Sequence, residues 1–383
     1  MDELILYLAH LMKCAVTGET PQAIPDGISL SDIVRYAHLH SIDCCVFTAL
    51  SRLGADKEDP AFKQLSEWNN AEIMRDTYQQ HYLSKIAGLF EKNGIDSIIL
   101  KGGVLKEIYP ETYLRQSCDL DILTEDTEKA ADVMKTLGFS VDDYDNDNSH
   151  HDVFILKPYL VVELHRKFMR REHTWSPQFA HMKERKIPYK NYSHVFQLSV
   201  EDSYLFMLAH MAKHVKYSGI GMKAVLDIWL FKKHYAEISV SDELKQIIEA
   251  SALTEFESSV DKLCKYWFEG AAPDDITKDF SRLMFTSGSY GNAHNVSSEN
   301  AYETSSGKFA IYLKSFFSPA KSLQHTYPIL IKHKWLLPFI WIRRGMRIVF
   351  RDKKAREQFV ENTNKADAQL GKKLNDIKNN IGL

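Results

Sequence analysis

The chain has 383 residues, of which 44% are hydrophobic and 26% are charged, a composition typical of a soluble globular protein with two or three domains. Its formal net charge of −3 at pH 7 supplies no general attraction to a polyanion, so nucleic acid is disfavoured as a partner. The five cysteines lack the spacing of a metal site, which indicates reduced thiols and a cytoplasmic protein.

The first part of the chain, residues 1–80, is predicted to be a helical cap. Apolar residues at helical spacing predict a first helix over Asp2–Cys14, and residues 29–50 predict two more, with Ser31 as a candidate N-cap. A long helix is predicted from Pro60 to Asn93. The acidic residues before the first apolar run are untypical of a secretory signal, so we expect none.

A predicted strand meets a predicted helix at a pair of glycines. The run IDSIILK, residues 95–101, is apolar and β-branched and predicts a buried strand, and Gly102 and Gly103 follow it at the start of a short helical pattern. Glycine lets a backbone approach a ligand closely, and the first amides of a helix are unsatisfied donors at the positive end of the helix dipole. The junction suits a phosphate group, although a plain strand-to-helix turn would show the same pattern.

Two aspartates lie on one face of the next predicted strand, Ser117–Thr124. Side chains alternate along a strand, so Asp119 and Asp121 point to the same side, about 7 Å apart by the rise per residue. The other side carries the residues predicted to enter the core: Cys118, Leu120 and Ile122. Two neighbouring carboxylates repel each other and favour a cation between them, whereas an isolated pair would also fit a solvent-facing strand edge.

Residues 81–192 alternate helical and strand patterns, which predicts an α+β core with a small mixed sheet and flanking helices. After a helix that ends at Gly138, a strand pair is predicted at residues 140–144 and 151–156, joined by a polar turn. The third core strand, Leu160–Lys167, places Glu163 and His165 on one face.

Beyond residue 192 the pattern is helical, so we predict a helical C-terminal domain with a tail over residues 193–383. A helix pair within residues 201–234 carries His210 and His214 on one helix face and Asp227 on the next helix. Zinc-binding helices of the familiar catalytic type have a glutamate after the first histidine, and this chain has methionine there. A structural or substrate-facing role is therefore favoured over a zinc site.

Two later segments are distinctive. Phe285–Asn300 is rich in glycine and serine and predicts a loop between helical blocks. Tyr327–Phe350 mixes large apolar residues with lysines and arginines, but its apolar runs are too short to span a bilayer. Packing of this segment against the core is favoured over weak contact with an anionic membrane surface. A charged helix is predicted from Asp352 to the end.

The order of these motifs resembles a known family. The stretch LKGGVLKEIYPETYLRQSCDLDIL at residues 100–123, then VVELH at 161–165, then AHMAKH and AVLDIWL, are similar to the bacterial group of uncharacterised nucleotidyltransferases in the superfamily with the polymerase-beta-like fold. The resemblance spans residues 33–231 and implies a polymerase-beta-like core. Its second small residue is Gly103, where the superfamily often has serine, so one hydroxyl contact to phosphate is absent.

The resemblance also implies a function, the metal-dependent transfer of a nucleoside monophosphate from a nucleoside triphosphate to a hydroxyl on a small molecule, a sugar or a protein. Two Mg²⁺ or Mn²⁺ ions would be held by the catalytic carboxylates Asp119, Asp121 and Glu163. The nucleotide phosphates would contact Gly102, Gly103, Lys101, Lys106 and Arg115, although both lysines fit a solvent-facing position equally well. The residues expected to face the substrate are His165, His210, Lys213, His214 and Asp227. The alternative is a non-catalytic nucleotide-binding or scaffold protein on the same fold.

Overall fold

The structure of the protein is a computed structural model that describes most of the chain. The residues described are 1–143, 151–158, 160–169, 175–237, 241–289, 291–304, 317, 323, 327, 329–343 and 367–383. The predicted polar turn at residues 144–150, the end of the Tyr327–Phe350 segment, and the start of the predicted C-terminal helix lie outside the described residues.

Four helices form the N-terminal part: α1 Asp2–Thr17, α2 Leu30–Leu39, α3 Asp43–Leu53 and α4 Pro60–Lys92. The Ser29 side chain caps α2 by accepting a hydrogen bond from the Asp32 amide at 3.1 Å. Ser31 lies inside the helix, so its prediction as the cap is wrong. Asp59 caps α4, and Pro60 occupies its first turn, where a missing N–H breaks no helical hydrogen bond.

A mixed sheet of seven strands follows. Its strands are β1 Ser97–Ile99, β2 Asp119–Thr124, β3 Ser140–Asp143, β4 His151–Leu156, β5 Leu160–His165, β6 Ile187–Pro188 and β7 Val195–Gln197. Their order in the sheet is β3-β4-β5-β2-β1-β7-β6, with β2 antiparallel to β1 and parallel to β5. The strands predicted at residues 95–101, 117–124 and 160–167 correspond to β1, β2 and β5. They are neighbours in the order β5-β2-β1, which confirms the predicted mixed sheet. The strand β1 is shorter than predicted, because Lys101 already begins a helix.

The remaining helices lie around this sheet and after it. Those between strands are α5 Lys101–Val104, the 3₁₀ turns Leu105–Ile108 and Thr112–Leu114, α6 Thr127–Thr136 and α7 Ser176–Glu184. Those after the sheet are α8 Val200–Tyr217, α9 Lys223–His234, α10 Asp242–Ala250, α11 Thr254–Phe268, α12 Asp275–Ser287, α13 Ala293–Thr304, α14 Ile329–Lys332, the 3₁₀ turn Lys334–Leu336 and α15 Ala368–Asn380.

One face of the sheet is covered by apolar packing. Side chains of β2 and β5 share a buried cluster with residues of α4 and α6: Leu120, Ile122, Val162 and Leu164 from the strands, and Leu83, Ile86, Ala130 and Met134 from the helices. Because side chains alternate along a strand, the carboxylates of β2 and β5 point away from this cluster. Cys118 precedes β2 and is exposed, so the prediction that it enters the core is wrong.

The N-terminal and C-terminal helices share a larger core. One continuous cluster joins side chains of α1 to α3 with those of α8 to α12 and of α15. The helix α4 also crosses residue 80 without a break. The division of the chain at residues 80 and 192 stays a prediction, and the two hydrophobic cores do not follow it.

Two predictions for the C-terminal half differ from the structure. The segment Phe285–Asn300 is largely helical, because α12 continues to Ser287 and α13 begins at Ala293, with the turn between them at Gly288 in a positive-φ conformation. Composition alone suggested a loop, but the small polar residues allow close packing of α13 on α15: Ser297 and Ser298 are buried, and the Ser298 hydroxyl accepts a hydrogen bond from the Asp367 amide at 3.1 Å.

The described part of Tyr327–Phe350 does not join the main core. Leu323, Leu330 and Ile340 form a small cluster of their own, while Trp335 and Phe339 are 68% and 63% exposed. The expected packing against the core is therefore wrong for these residues. Across the described ranges, no helix is both long enough and apolar enough to cross a bilayer.

Candidate active site

A cleft with a volume of about 600 Å³ lies between the polar face of the sheet and the helices α8 and α9. This cleft is lined by most of the site residues predicted from the sequence: Lys101, Gly102, Arg115, Asp119, Asp121, Glu163, His165, His210, Lys213, His214 and Asp227. They come from segments up to 126 positions apart, so the fold brings together what the sequence separates.

Three carboxylates meet at the floor of this cleft. The parallel pairing of β2 with β5 places Asp121 opposite Glu163, and oxygen atoms of Asp119, Asp121 and Glu163 lie within 4.8 Å of one another. Burial and then the charges of the other two carboxylates raise the pKa of Asp119 to about 6. A concentration of hard oxygen donors with excess negative charge fits a divalent cation such as Mg²⁺ or Mn²⁺.

His165 contacts two of these carboxylates. Its Nε2 lies 2.9 Å from Oδ1 of Asp121 and 3.3 Å from Oε2 of Glu163. Burial disfavours the charged imidazole, but these two contacts outweigh it and raise the pKa of His165 to about 9. Burial also disfavours the charged form of Asp121 and would raise its pKa. The hydrogen bond from His165 outweighs this effect and keeps the pKa of Asp121 below its usual value. His165 therefore lies beside the carboxylates and offsets part of their negative charge.

The two glycines have different surroundings. Gly102 lines the cleft, and a Cβ added there would meet its nearest neighbour, the Asp119 carbonyl oxygen, at 3.4 Å, an ordinary contact. A Cβ added at Gly103 would lie 2.6 Å from Cγ2 of Ile99 and 3.1 Å from a methyl group of Leu83. Gly103 thus permits close packing of α5 on β1 and α4, while Gly102 borders the ligand space.

This difference predicts opposite results for two single-methyl variants. Gly103→Ala should lower the free energy of unfolding by about 1–3 kcal/mol, because the added methyl group overpacks the contact with Ile99. Gly102→Ala should unfold near the wild-type urea midpoint, since its methyl group has room beside the cleft. Equal midpoints for the two variants would contradict this assignment.

A group of basic side chains lies beside the carboxylates. Lys101 donates a hydrogen bond to Nδ1 of His210 at 2.9 Å, and the ring of His210 lies 3.2 Å from Nε2 of His214. Burial lowers the pKa of Lys101 to about 8 and that of His214 to about 3, and it holds the pKa of His210 well below its usual range. Both histidines are therefore neutral at pH 7, and positive charge at this wall comes from Lys101 and Lys213.

The less favoured alternative for the helix pair, a zinc site, would need Asp227 as a ligand, but this carboxylate has other partners. Asp227 binds Arg115 through two hydrogen bonds of 2.8 and 2.9 Å and accepts a third from the Tyr109 hydroxyl at 2.7 Å. Among the residues that the structure describes, the groups able to hold a metal ion do not include His210 or His214. Arg115 and Asp227 both border the cleft, but their charges are directed at each other.

Lys106 is placed differently from both expectations for it. Its side chain is fully buried, and its Nζ donates to Oδ1 of Asp76 at 2.5 Å and to Oε1 of Gln79 at 2.7 Å. It does not line the cleft. The predictions that Lys106 contacts phosphate or faces solvent are therefore wrong, because Asp76 and Gln79, two buried polar residues of α4, bind it.

Asp76 and Gln79 of α4 also form hydrogen bonds with the segment between the glycines and β2. Gln79 donates to the Ser117 carbonyl oxygen at 2.9 Å, and Thr112 donates to the Asp76 carboxylate. Ser117 in turn donates to the backbone carbonyl of Asp119 at 2.8 Å. These contacts hold the start of β2 in place and so position the first carboxylate of the site.

The cleft also contains residues that sequence reasoning missed, among them His151 and Lys223. His151 of β4 lies opposite His165 of β5, and Lys223 at the start of α9 donates to the Gln116 carbonyl oxygen. Lys223 had a usable signal, since it lies four residues before Asp227 and hence on the same helix face. His151 had none, because it belongs to a strand whose pairing was set only in the folded sheet.

Comparison with known protein families identifies a match over most of the chain. A family model described as an uncharacterised nucleotidyltransferase matches residues 26–269, which is well over half of the chain and includes every cleft residue named above. No curated protein and no solved structure matches the chain significantly.

Proposed function

Because the chain belongs to the family of uncharacterised nucleotidyltransferases, we propose that it transfers a nucleoside monophosphate from a nucleoside triphosphate to an acceptor hydroxyl. The acceptor oxygen would form a bond to the α-phosphorus, and the bond from that phosphorus to the pyrophosphate oxygen would break. The observation that carries the proposal is the convergence of Asp119, Asp121 and Glu163, with oxygen atoms within 4.8 Å, in a cleft bordered by Gly102.

The proposal extends to a polymerase-beta-like core. Its support is the order of the parts: a glycine pair after β1, two aspartates on the adjacent β2, and a third carboxylate on the adjacent β5. In this arrangement Asp119 and Asp121 would hold two divalent ions, Mg²⁺ or Mn²⁺, with Glu163 completing the site. When bound, such ions neutralise the triphosphate and stabilise the charge of the departing pyrophosphate.

The side chains of the cleft have separate parts in this scheme. Gly102 would let the phosphates approach the backbone, and Lys101 and Lys213 would offset their negative charge. Glu163 would complete the ion site, and the alternative role for it is to accept the proton of the acceptor hydroxyl. Arg115 would act indirectly, because its ion pair with Asp227 fixes the segment that leads into β2.

The volume of the cleft supports a small acceptor. A cavity of about 600 Å³ lies within the range of roughly 300–1,000 Å³ that is usual for small-molecule sites. The five free thiols support the proposed cytoplasmic location.

A second candidate function is a non-catalytic nucleotide-binding or scaffold protein on the same fold. Against it stands the raised pKa of Asp119, which reflects first the burial of this carboxyl group and then repulsion by Asp121 and Glu163. A protein without need of a cation would gain stability by losing one of these charges. Binding without transfer would leave this cost unexplained.

A nucleotide screen tests the proposed function. We expect Mg²⁺ together with one nucleoside triphosphate to raise the melting temperature more than either alone, because each ligand binds the folded state more tightly when the other is present. Pyrophosphate release in the presence of candidate acceptors should follow the same nucleotide preference. Stabilisation by nucleotides that is independent of divalent ions, without pyrophosphate release, would favour the non-catalytic binder.

A further inference from the structure

Two imidazole rings lie on the same face of the sheet as the carboxylates. The antiparallel pairing of β4 with β5 places His151 directly opposite His165, and both flank Glu163. Nε2 of His151 lies 3.6 Å from Oε2 of Glu163, and Nε2 of His165 lies 3.3 Å from the same oxygen. The register of three strands, β4, β5 and β2, therefore directs two nitrogen atoms at a carboxylate of the ion site.

These atoms are close enough to share one ion. The nitrogen and oxygen ligand atoms of His151, Glu163 and His165 all lie within 4.8 Å of one another, and the two ring centroids are 5.1 Å apart. Glu163 belongs both to this group and to the group of three carboxylates. The ion site thus has an oxygen side, formed by Asp119 and Asp121, and a nitrogen side, formed by the two histidines.

The two sides differ in the ions that they favour. Mg²⁺ prefers oxygen ligands and gives up its water reluctantly, whereas imidazole nitrogen is a common ligand of first-row transition ions. A site built for Mg²⁺ alone needs no imidazole. The pairing of two imidazoles with a carboxylate is the ligand set expected for an ion of intermediate softness.

We propose that His151, Glu163 and His165 form a binding site for a divalent first-row transition ion, with both histidines as direct ligands. The inference deepens the proposed function and rests on it in one respect, namely that Glu163 ligates an ion. It predicts that the protein distinguishes Mn²⁺ from Mg²⁺ through nitrogen atoms that no all-carboxylate site possesses.

A different role for the same histidines makes a contrasting prediction. If each ring only donates a hydrogen bond to a carboxylate, it positions the ligand but does not touch the ion. The ion would then have oxygen ligands alone. Replacing ¹⁴N with ¹⁵N in the histidines would then change no coupling to a directly coordinated atom.

Pulsed electron paramagnetic resonance of the full-length protein with Mn²⁺ alone separates the two roles. We expect the bound Mn²⁺ to show couplings to directly coordinated nitrogen, and these couplings should change from the ¹⁴N to the ¹⁵N pattern when the protein is made with ¹⁵N-labelled histidine. The wild-type protein suffices for this measurement, so the result does not depend on whether a variant folds.

Two variants assign the nitrogens. His151→Gln should remove one nitrogen coupling and weaken Mn²⁺ binding by about tenfold or more, because even the loss of an outer contact to a metal ligand has an effect of that size. His181→Gln is the matched control, since the His181 side chain is exposed on α7 and does not line the cleft. This variant should leave both the nitrogen couplings and the affinity for Mn²⁺ unchanged.

Two results would overturn the inference: bound Mn²⁺ without any effect of the ¹⁵N label, or no binding of Mn²⁺. The proposed function is judged separately, by the joint stabilisation with Mg²⁺ and nucleoside triphosphate. If that joint stabilisation persists while the nitrogen couplings are absent, only the transition-ion site is disproved. If it is absent while the couplings are present, nucleotidyl transfer is disproved and the metal site stands.

Discussion

Asp119→Asn and Asp121→Asn will each lower pyrophosphate release by two to three orders of magnitude. Loss of a metal ligand removes part of a stabilisation that amounts to several kcal/mol, and each 1.36 kcal/mol of barrier is a factor of about ten in rate. The basic side chains beside the site cannot replace it, because they do not bridge the reacting oxygens. Steady-state rates with the nucleotide chosen by the thermal screen provide the measurement.

Without ligands, Asp119→Asn should not be less stable than the wild type, whereas Asp121→Asn should lose stability because it removes the ionic contact of Asp121 with His165. Asparagine removes one of the charges that repel each other at the floor of the cleft, so the melting temperature of the free Asp119→Asn protein should equal or exceed that of the wild type. The additional stabilisation by Mg²⁺ and nucleotide together should disappear.

Asp132→Asn provides the control for these variants. Asp132 lies on α6, its side chain is exposed, and it forms an ion pair with Lys135 one turn away. It should change neither the rate nor the joint stabilisation. A variant of Asp119 or Asp121 that keeps the wild-type rate would contradict the assignment of these residues to the metal site.

Lys106→Met should have the largest effect on stability. The substitution leaves the Asp76 carboxylate buried and without its cation, and breaking a buried ion pair on one side typically lowers the free energy of unfolding by about 3–5 kcal/mol. Burial lowers the pKa of Lys106, but the partner carboxylate opposes this shift and keeps the pair in place. Urea denaturation measures the change.

Two comparisons make this result specific. The double variant Lys106→Met with Asp76→Asn should recover part of the loss, because it removes the unpaired buried charge. Lys129→Met, which removes an exposed partner of Asp126, should alter stability by less than about 1 kcal/mol. If Lys106→Met unfolded like the wild type but bound nucleotide poorly, Lys106 would instead be a phosphate contact.

Several features of the site were predictable from local rules. The alternation of side chains along a strand placed Asp119 and Asp121 on one face and Leu120 and Ile122 on the other, and the structure has this arrangement. The same rule placed Glu163 on the face opposite Val162 and Leu164. Local geometry determined these faces because it depends only on neighbouring residues.

The partners of charged residues were not predictable in this way. The sequence made both Lys106 and Arg115 candidates for phosphate contact. In the structure, Lys106 is bound by Asp76 of α4 and Arg115 by Asp227 of α9. These partners are separated from them by 30 and 112 positions. No periodicity connects such pairs, so their roles were open until the helices were placed.

The sequence by itself determined the order of the parts of the site: a glycine pair, two aspartates on one strand face and a third carboxylate on a later strand. Only the tertiary structure decided the registers, which place Asp121 of β2 opposite Glu163 of β5 and His151 of β4 opposite His165. The physical reason is that strand periodicity depends on the local backbone, whereas strand order and register depend on hydrogen bonds and packing between distant segments.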